Sequence, residues 1–168
     1  MMNPLSDLQM ELSNTRKALE RVPDDKLDFK PHPKSGTLIW LASHVADIPG
    51  WGSYTLNSDG MEFDGMQPPP LPGSREELLA KFDRNAAELT AAMAGADDAK
   101  LAAIWTGTMK GKPVLAGPKG DMLRGMIMNH MIHHRAQLTV YLRLLDIPVP
   151  ALYGPSADEG NMFGEASA

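Results

Sequence analysis

The chain contains no cysteine, which removes disulfide scaffolds, thiolate metal ligands and thiol catalysis by the protein itself. Any thiol in its chemistry has to arrive on a small molecule. No apolar run approaches the length needed to cross a bilayer, and the start, Met1-Met2-Asn3-Pro4, lacks a basic stretch followed by an apolar core. The expectation is a soluble cytoplasmic protein with no membrane partner. Basic residues are not in excess: 16 Lys and Arg stand against 21 Asp and Glu, a net charge of −5. They are also scattered, so the electrostatic footprint of a nucleic-acid binder is missing. The segment Gly117-Pro118-Lys119-Gly120 follows no convincing strand and lacks the Gly-Lys-Ser/Thr ending of a phosphate loop, so it reads as a turn. There is no internal repeat. At 168 residues, one domain over 1–168 can bury roughly two-thirds of its unfolded surface.

What the chain does have is helical periodicity. Leu8, Leu12, Ala18, Leu19 and Val22 form an apolar stripe on a first helix placed from about Leu5 to Arg21, with Ser6 as its N-cap and Pro23 as its stop. Asp24 to Ser35 is an irregular connection from which Leu27 and Phe29 tuck back. Ser35 or Thr37 caps a second helix, which Pro49-Gly50 should end or bend before another turn or two. Asn57 to Gly73, rich in Gly, Pro and Met, is a long loop and a candidate wall for a substrate pocket. Ser74 and Glu77 have capping-box spacing at the start of a third helix with Leu78, Leu79, Phe82, Ala86, Leu89 and Met93 on its core face. Gly95 ends it, and a short helical turn follows at Asp97 to Leu101. Ile104 to Met109 and Pro113 to Leu115 flank Lys110-Gly111-Lys112, the pattern of a small hairpin. A fourth helix, free of proline from Asp121 to Ile147, carries the strongest periodicity of all. Beyond Asp158 the chain is small and polar and is expected to fray.

Histidine is scarce, with five in all, and three of them fall in Asn129-His130-Met131-Ile132-His133-His134-Arg135-Ala136-Gln137. At helical spacing His130 and His134 share the arc of Leu123, Ile127, Tyr141 and Leu145, while His133 sits at its edge. Residues i and i+4 lie about 6 Å apart along the axis, so two imidazoles can reach one cation, and neutral imidazole is a common metal ligand. Met131 follows His130 where a zinc-peptidase helix places its Glu, which argues against that class. A third ligand is sought because two rarely complete a site. His32, between Pro31 and Pro33, belongs to an extended exposed segment. His44 instead lies on the apolar face of the second helix, three residues after Leu41. The alternative for each of these histidines is a hydrogen-bonded packing residue.

With His44 in place, the chain resembles a known family. The features that carry the resemblance are Leu38-x-x-Leu41-x-x-His44, His130-x-x-x-His134-Arg135-x-Gln137, and the tail Leu144-x-x-Ile147-Pro148-x-Pro150-x-x-Tyr153-Gly154-Pro155. In their order and spacing they resemble the DinB/YfiT-like superfamily over nearly the whole chain. The resemblance implies an all-α fold, a four-helix bundle with a short hairpin or extended excursion between helices three and four. It implies one divalent metal ion held by three histidines, which match His44, His130 and His134. It also implies a homodimer, to which Trp51, Trp105 or Phe163 would contribute.

Three neutral ligands leave the metal its full charge, so it acidifies a bound water or thiol and acts as a Lewis acid. Imidazole-only sites take Zn, Ni, Cu or Fe, with Zn or Ni the first expectation. Two chemistries follow for a small-molecule substrate. One is transfer of a low-molecular-weight thiol to an electrophile, or a thiol-dependent isomerisation, favoured on the resemblance. The other is hydrolysis by metal-bound water. A third reading is a metal-stapled, non-catalytic bundle acting as a stress or interaction module. Asp47, one turn after His44, is a candidate to orient an imidazole or bind the metal weakly, or else is a partly solvated acid. Arg135 is a candidate clamp for a substrate carboxylate, or else a surface salt bridge, and Gln137 is in the same position. The methionines beside the histidines, Met122, Met126, Met128 and Met131, suit an adaptable core or an apolar pocket wall.

Overall fold

The computed structural model describes residues 4–160. Helix α1 (Pro4–Leu19) begins on a proline, whose fixed φ and missing N–H suit the first position of a helix. Ser6 therefore lies inside the helix instead of capping it. Leu8, Leu12, Ala18 and Leu19 are buried along one side, and Pro23 follows the helix closely. The connection behaves as the periodicity predicts: Leu27 and Phe29 pack on the core, and their carbonyls accept from Ile39 and Leu38, pinning the start of the next helix.

Helix α2 (Leu38–Asn57) is capped by Thr37, whose hydroxyl accepts from the Trp40 N–H at 3.2 Å. It does not end at Pro49-Gly50 but continues through them for two more turns. Proline removes a helical donor and crowds the preceding turn. A neighbour braces the helix beside this point: Asn85 of helix α3 (Arg75–Ala94) donates its Nδ2 to the Ala46 carbonyl at 2.8 Å. Gly50 leaves room for that approach, since a Cβ there would meet Asn85 at 3.1 Å. Helix α3 is capped as its sequence predicts. Ser74 accepts from the Glu77 N–H, and the Glu77 carboxylate reaches back to the Gly73 N–H. Gly95 closes it, and Asp97 caps the short α4 (Asp98–Ala102).

The expectation of an all-α chain needs correcting. The fold is mostly helical with a small three-stranded sheet in the order β1-β2-β3. Strands β2 (Ile104–Met109) and β3 (Lys112–Pro118) form the foreseen hairpin. Its turn, Lys110-Gly111, has both φ values positive, as the favoured two-residue hairpin turn requires. The unforeseen strand is β1 (Gly60–Glu62), inside the long loop, pairing parallel with β2 from Gly60↔Thr106 to Glu62↔Thr108. The Glu62 carboxylate accepts from the Lys110 and Gly111 N–H groups, tying the loop to the hairpin turn.

A strand does lead into Gly117-Pro118-Lys119-Gly120, contrary to expectation, for β3 runs directly into α5 (Lys119–Met122). Its lysine is turned inward: the Lys119 side chain is buried and its Nζ donates to the Leu56 carbonyl near the end of α2. A π-helical stretch (Leu123–Asn129) follows, and then α6 (His130–Leu144). The single regular helix expected here is thus interrupted just before the first histidine. Helix α2 packs on α3, α6 and the π stretch, while α1 packs on α3 and α6. Their shared core includes Leu38, Ile48, Leu78, Phe82, Met131 and Leu138.

After α6 the chain folds back over α1. Glu159 pairs with Arg21 and Asp158 with Arg143, so the segment just past Asp158 is held and not frayed as far as Gly160. Phe163 lies outside the described residues. Among those residues no helix is long and apolar enough to cross a membrane.

Candidate metal centre

The three candidate ligands converge. His44 from α2 and His130 and His134 from α6 each offer a ring nitrogen, and the three nitrogens lie within 4.8 Å of one another. His44 Nε2 is 3.2 Å from His130 Nε2. Ring centroids are 5.0 Å apart for His44 and His130, 4.5 Å for His44 and His134, and 4.6 Å for His130 and His134. His32, in the connection just before α2, is exposed and outside the cluster, its Nδ1 accepting from the Lys34 N–H. His133 is exposed and outside the triad, although its ring lies against His134 at 4.9 Å.

The donor set fits a divalent ion. His130 Nδ1–H donates to the Met126 carbonyl at 3.2 Å, and His134 Nδ1–H to Gln137 Oε1 at 2.7 Å. Each contact fixes a tautomer that leaves Nε2 as a lone pair. Bonds of about 2.0–2.1 Å at tetrahedral angles put ligand nitrogens roughly 3.3 Å apart, close to the His44–His130 separation. The Met126 carbonyl belongs to the π stretch, where i→i+5 bonding departs from the regular ladder, and π segments recur at functional sites. Gln137 also donates from Nε2 to His133 Nε2 at 3.1 Å, so it joins a ligand candidate to the exposed imidazole.

Electrostatics favours uncharged ligands. The His44 pKa is pushed down to about 4, first by burial and then by the neighbouring His134 and His130 imidazoles. Burial also lowers His134, opposed by its hydrogen bond to Gln137 and aided by His130 and His133. Both rings are therefore unprotonated, and able to bind a cation, near neutrality.

Two tryptophans bracket the triad. Trp40 stacks on His44, centroids 5.4 Å apart and planes 5° from parallel, and Trp51 meets His44 edge-on at 5.2 Å and His130 at 5.9 Å. They stand four residues before and seven after His44, on the same face of α2; that spacing was the available signal for both. Trp51 belongs to this wall, and Trp105 is buried with its Nε1 donating to Ser58. Beside His44 opens a cavity of about 590 Å³, which the 66–71 loop, Met61, Phe63 and Met126 help to enclose. The long loop is thus a wall of the cavity. Of the methionines, Met131 and Met122 are core, while Met126 faces the cavity.

Asp47 lines the same cavity, but its partner is a lysine and not an imidazole. Lys81 Nζ lies 2.7 Å from Asp47 Oδ1 and 3.0 Å from Ser43 Oγ, with the Lys81 and Asp47 side chains only 14% and 17% exposed. Sequence reasoning did not single out Lys81, which abuts the Leu78–Phe82 stripe without belonging to it. Arg135 points the other way, into the packing against α1. It is 1% exposed, pairs with the buried Glu11 at 2.8 Å, and donates to the Glu11 carbonyl, Thr15 Oγ1 and Tyr153. It is a buried ion pair, neither a surface bridge nor a clamp facing the cavity.

The chain is similar to known proteins over most of its length. A family model described as the DinB superfamily matches residues 7–138. The uncharacterized protein YrdA of Bacillus subtilis is 27% identical over 164 residues, spanning 95% of this chain and 92% of the relative. Among solved structures, a DinB-like protein from Bacillus cereus superposes with a TM-score of 0.68 at 25% identity, over 89% of this chain and 95% of that one. The DinB-like protein YjoA from Bacillus subtilis gives 0.69 at 17% identity, over 87% and 94%, a likeness of fold alone.

Proposed function

The chain belongs to the DinB superfamily, and from that membership and the geometry of its imidazoles we propose that it is a metal-dependent enzyme. In this reading His44, His130 and His134 hold one divalent ion, Zn or Ni, and the cavity beside them receives a small-molecule substrate. The observation that carries it is the convergence of three imidazoles from two elements, two with Nδ1–H already anchored so that Nε2 is free. A metal-stapled module without catalysis would need no cavity, and the one at His44 favours an enzyme.

We read the reaction as transfer of a low-molecular-weight thiol to an electrophile, or a thiol-dependent isomerisation, the activities to which the DinB/YfiT resemblance points. A bound divalent ion supplies Lewis acidity and favours the deprotonated form of a thiol or water that reaches it. The chain's own residues hold and orient: Gln137 and the Met126 carbonyl set two ring tautomers, and Trp40, Trp51 and the 66–71 loop keep bulk water from the triad. Hydrolysis is the second reading. What favours it is Asp47, a carboxylate lining the cavity that can accept a proton from water; its engagement by Lys81 ranks this reading second. The same proposal treats the long helices as the bundle of DinB/YfiT type and the working form as a cytoplasmic homodimer.

The test is elemental analysis of protein purified without added metal or chelator. About one divalent ion per chain is expected in the unmodified protein and in His133→Ala, and none in His44→Ala, His130→Ala or His134→Ala. Conjugation of an electrophile is then compared with and without small thiols. Ester hydrolysis that proceeds without thiol and vanishes in His130→Ala would replace the transferase reading with the hydrolase one. A protein that is empty and refuses both Zn²⁺ and Ni²⁺ on titration would end both.

A further inference from the structure

The lining of the cavity at His44 has a chemistry of its own. Its floor is a stripe on α2, Trp40, His44, Asp47, Trp51 and Thr55, which at 1.5 Å per residue runs about 22 Å along the helix. Trp40 and Trp51 are 47% and 38% exposed, so their ring faces are reachable from it. Across from the floor stand Met61, Phe63, Met66 and Leu71. Trp105 also lines the space, and because its Nε1 already donates to Ser58 it offers carbon only.

Charge is what the lining lacks. Among the described residues no Lys or Arg lines the cavity. Lys81 is already paired with Asp47 and Ser43, which line the cavity, and Arg135 is turned to Glu11, Thr15 and Tyr153. Asp47, the carboxylate that does line it, is neutralised by Lys81. With no ion at the triad, a ligand carboxylate entering here would lose its hydration and meet only neutral donors such as Gln67 and Tyr54, with no cation free to pair with it. A neutral ring would lose little hydration and gain contact with indole faces and with methionine side chains that adapt to shape. The volume suits a molecule of two or three rings.

We propose that the walls of this cavity favour a neutral, largely apolar molecule with a planar ring over its carboxylate counterpart, so that the part of the substrate they hold beside the three imidazoles is an uncharged aromatic group. The inference rests on the enzyme reading for what happens to that molecule, but not for its binding. Selection comes from the walls, and the reaction from the triad.

Naphthamide and naphthoate share a ring system and differ in charge, so they test the walls directly. Binding is read by quenching of tryptophan fluorescence in the full chain after chelator treatment, where no ion can hold the carboxylate. Naphthamide is expected to bind with a Kd at least tenfold below that of naphthoate. Met66→Asp, at an exposed loop position where folding is not at stake, should weaken naphthamide binding several-fold. Naphthoate binding as tightly as naphthamide, or no quenching by naphthamide, overturns the proposal. Elemental analysis of the same protein before chelator treatment separates the two claims. Selective naphthamide binding by a chain that holds no ion sustains the walls and sinks the triad, and a chain that holds an ion but ignores naphthamide does the reverse.

Discussion

His44 and His130 stand 86 positions apart, yet their Nε2 atoms face each other at 3.2 Å across the contact between α2 and α6. An ion shared by them and His134 would therefore staple two long elements of the core. A ligand present at a hundredfold excess over its Kd stabilises the state that binds it by about 2.7 kcal/mol, which for a chain of this size raises the melting temperature by roughly 5–10 °C. Chelation of the purified protein is expected to lower the melting temperature by that order, and His44→Ala to melt at the same temperature with or without chelator. Calorimetry on the pair decides it.

The metal-free chain should lose stability in acid through His44. Its folded pKa is about 4 against about 6.5 when unfolded, so the unfolded chain takes up the proton first. Above pH about 6.5 both states are neutral at this ring and it contributes no slope. As pH falls from about 6.5 to about 4, stability falls with it, and below that the loss is complete. The lowered His134 pKa acts in the same direction. Thermal midpoints of the chelated protein should decline over this window more steeply than those of His44→Ala. Parallel declines would show that the ring is not the cause.

Lys81 and Asp47 should behave as a unit. Removing the amine in Lys81→Met leaves a half-enclosed carboxylate unpaired, at a cost on the order of 2–3 kcal/mol, below the range for full burial. Asp47→Asn in the Lys81→Met background is expected to restore part of it, a non-additivity that urea unfolding of the double-mutant cycle measures. Additive losses would mean that the two side chains stabilise the fold independently.

These residues also mark where the sequence was legible. Thr37, Ser74 and Asp97 announced their helix starts because a cap is a local event, complete within three residues. The Lys110-Gly111 turn was legible for the same reason. His130 and His134 were legible as a pair because i and i+4 spacing survives in α6 whatever precedes it. Strand β1 was not, since three residues have no period of their own and its partner Thr106 lies in a later element. The π stretch was hidden because seven residues of apolar pattern fit a wider turn as well as a regular one. The run of α2 past Pro49 was legible in part, because Trp51, Tyr54 and Leu56 continue the apolar pattern, while the bracing contact of Asn85 with the Ala46 carbonyl comes from α3 and was not. Lys81 and Arg135 took their roles from partners 34 and 124 positions away.

Arg135 is expected to matter for stability and not for substrate. Arg135→Met strands the Glu11 carboxylate, 5% exposed, and should cost about 3–5 kcal/mol. Tyr153→Phe, which removes one hydroxyl from the same cluster, should cost about 1 kcal/mol. Urea unfolding reads both. An Arg135→Met protein of unchanged stability but weakened binding of carboxylate ligands would return Arg135 to the cavity side.

Gln137 offers a way to separate orientation of a ligand from its presence. Its Oε1 accepts from His134 Nδ1 at 2.7 Å while its amide donates to His133, and the side chain is otherwise exposed. Gln137→Leu keeps the length of the side chain and removes both contacts, so His134 is free to rotate or change tautomer. Loss of such an outer partner typically weakens metal binding by about 10–100-fold. The expected result is that order of loss in a competitive Zn²⁺ titration, with the melting temperature of the chelated protein unchanged, since the residue packs against nothing in the core. Gln137→Glu retains an acceptor and should recover most of the affinity, whereas His133→Ala, which removes only the outer end of the chain of contacts, should leave it nearly intact. If Gln137→Leu bound zinc as tightly as the unmodified chain, His134 would have to be positioned by α6 alone, and the hydrogen bond would be incidental to the site.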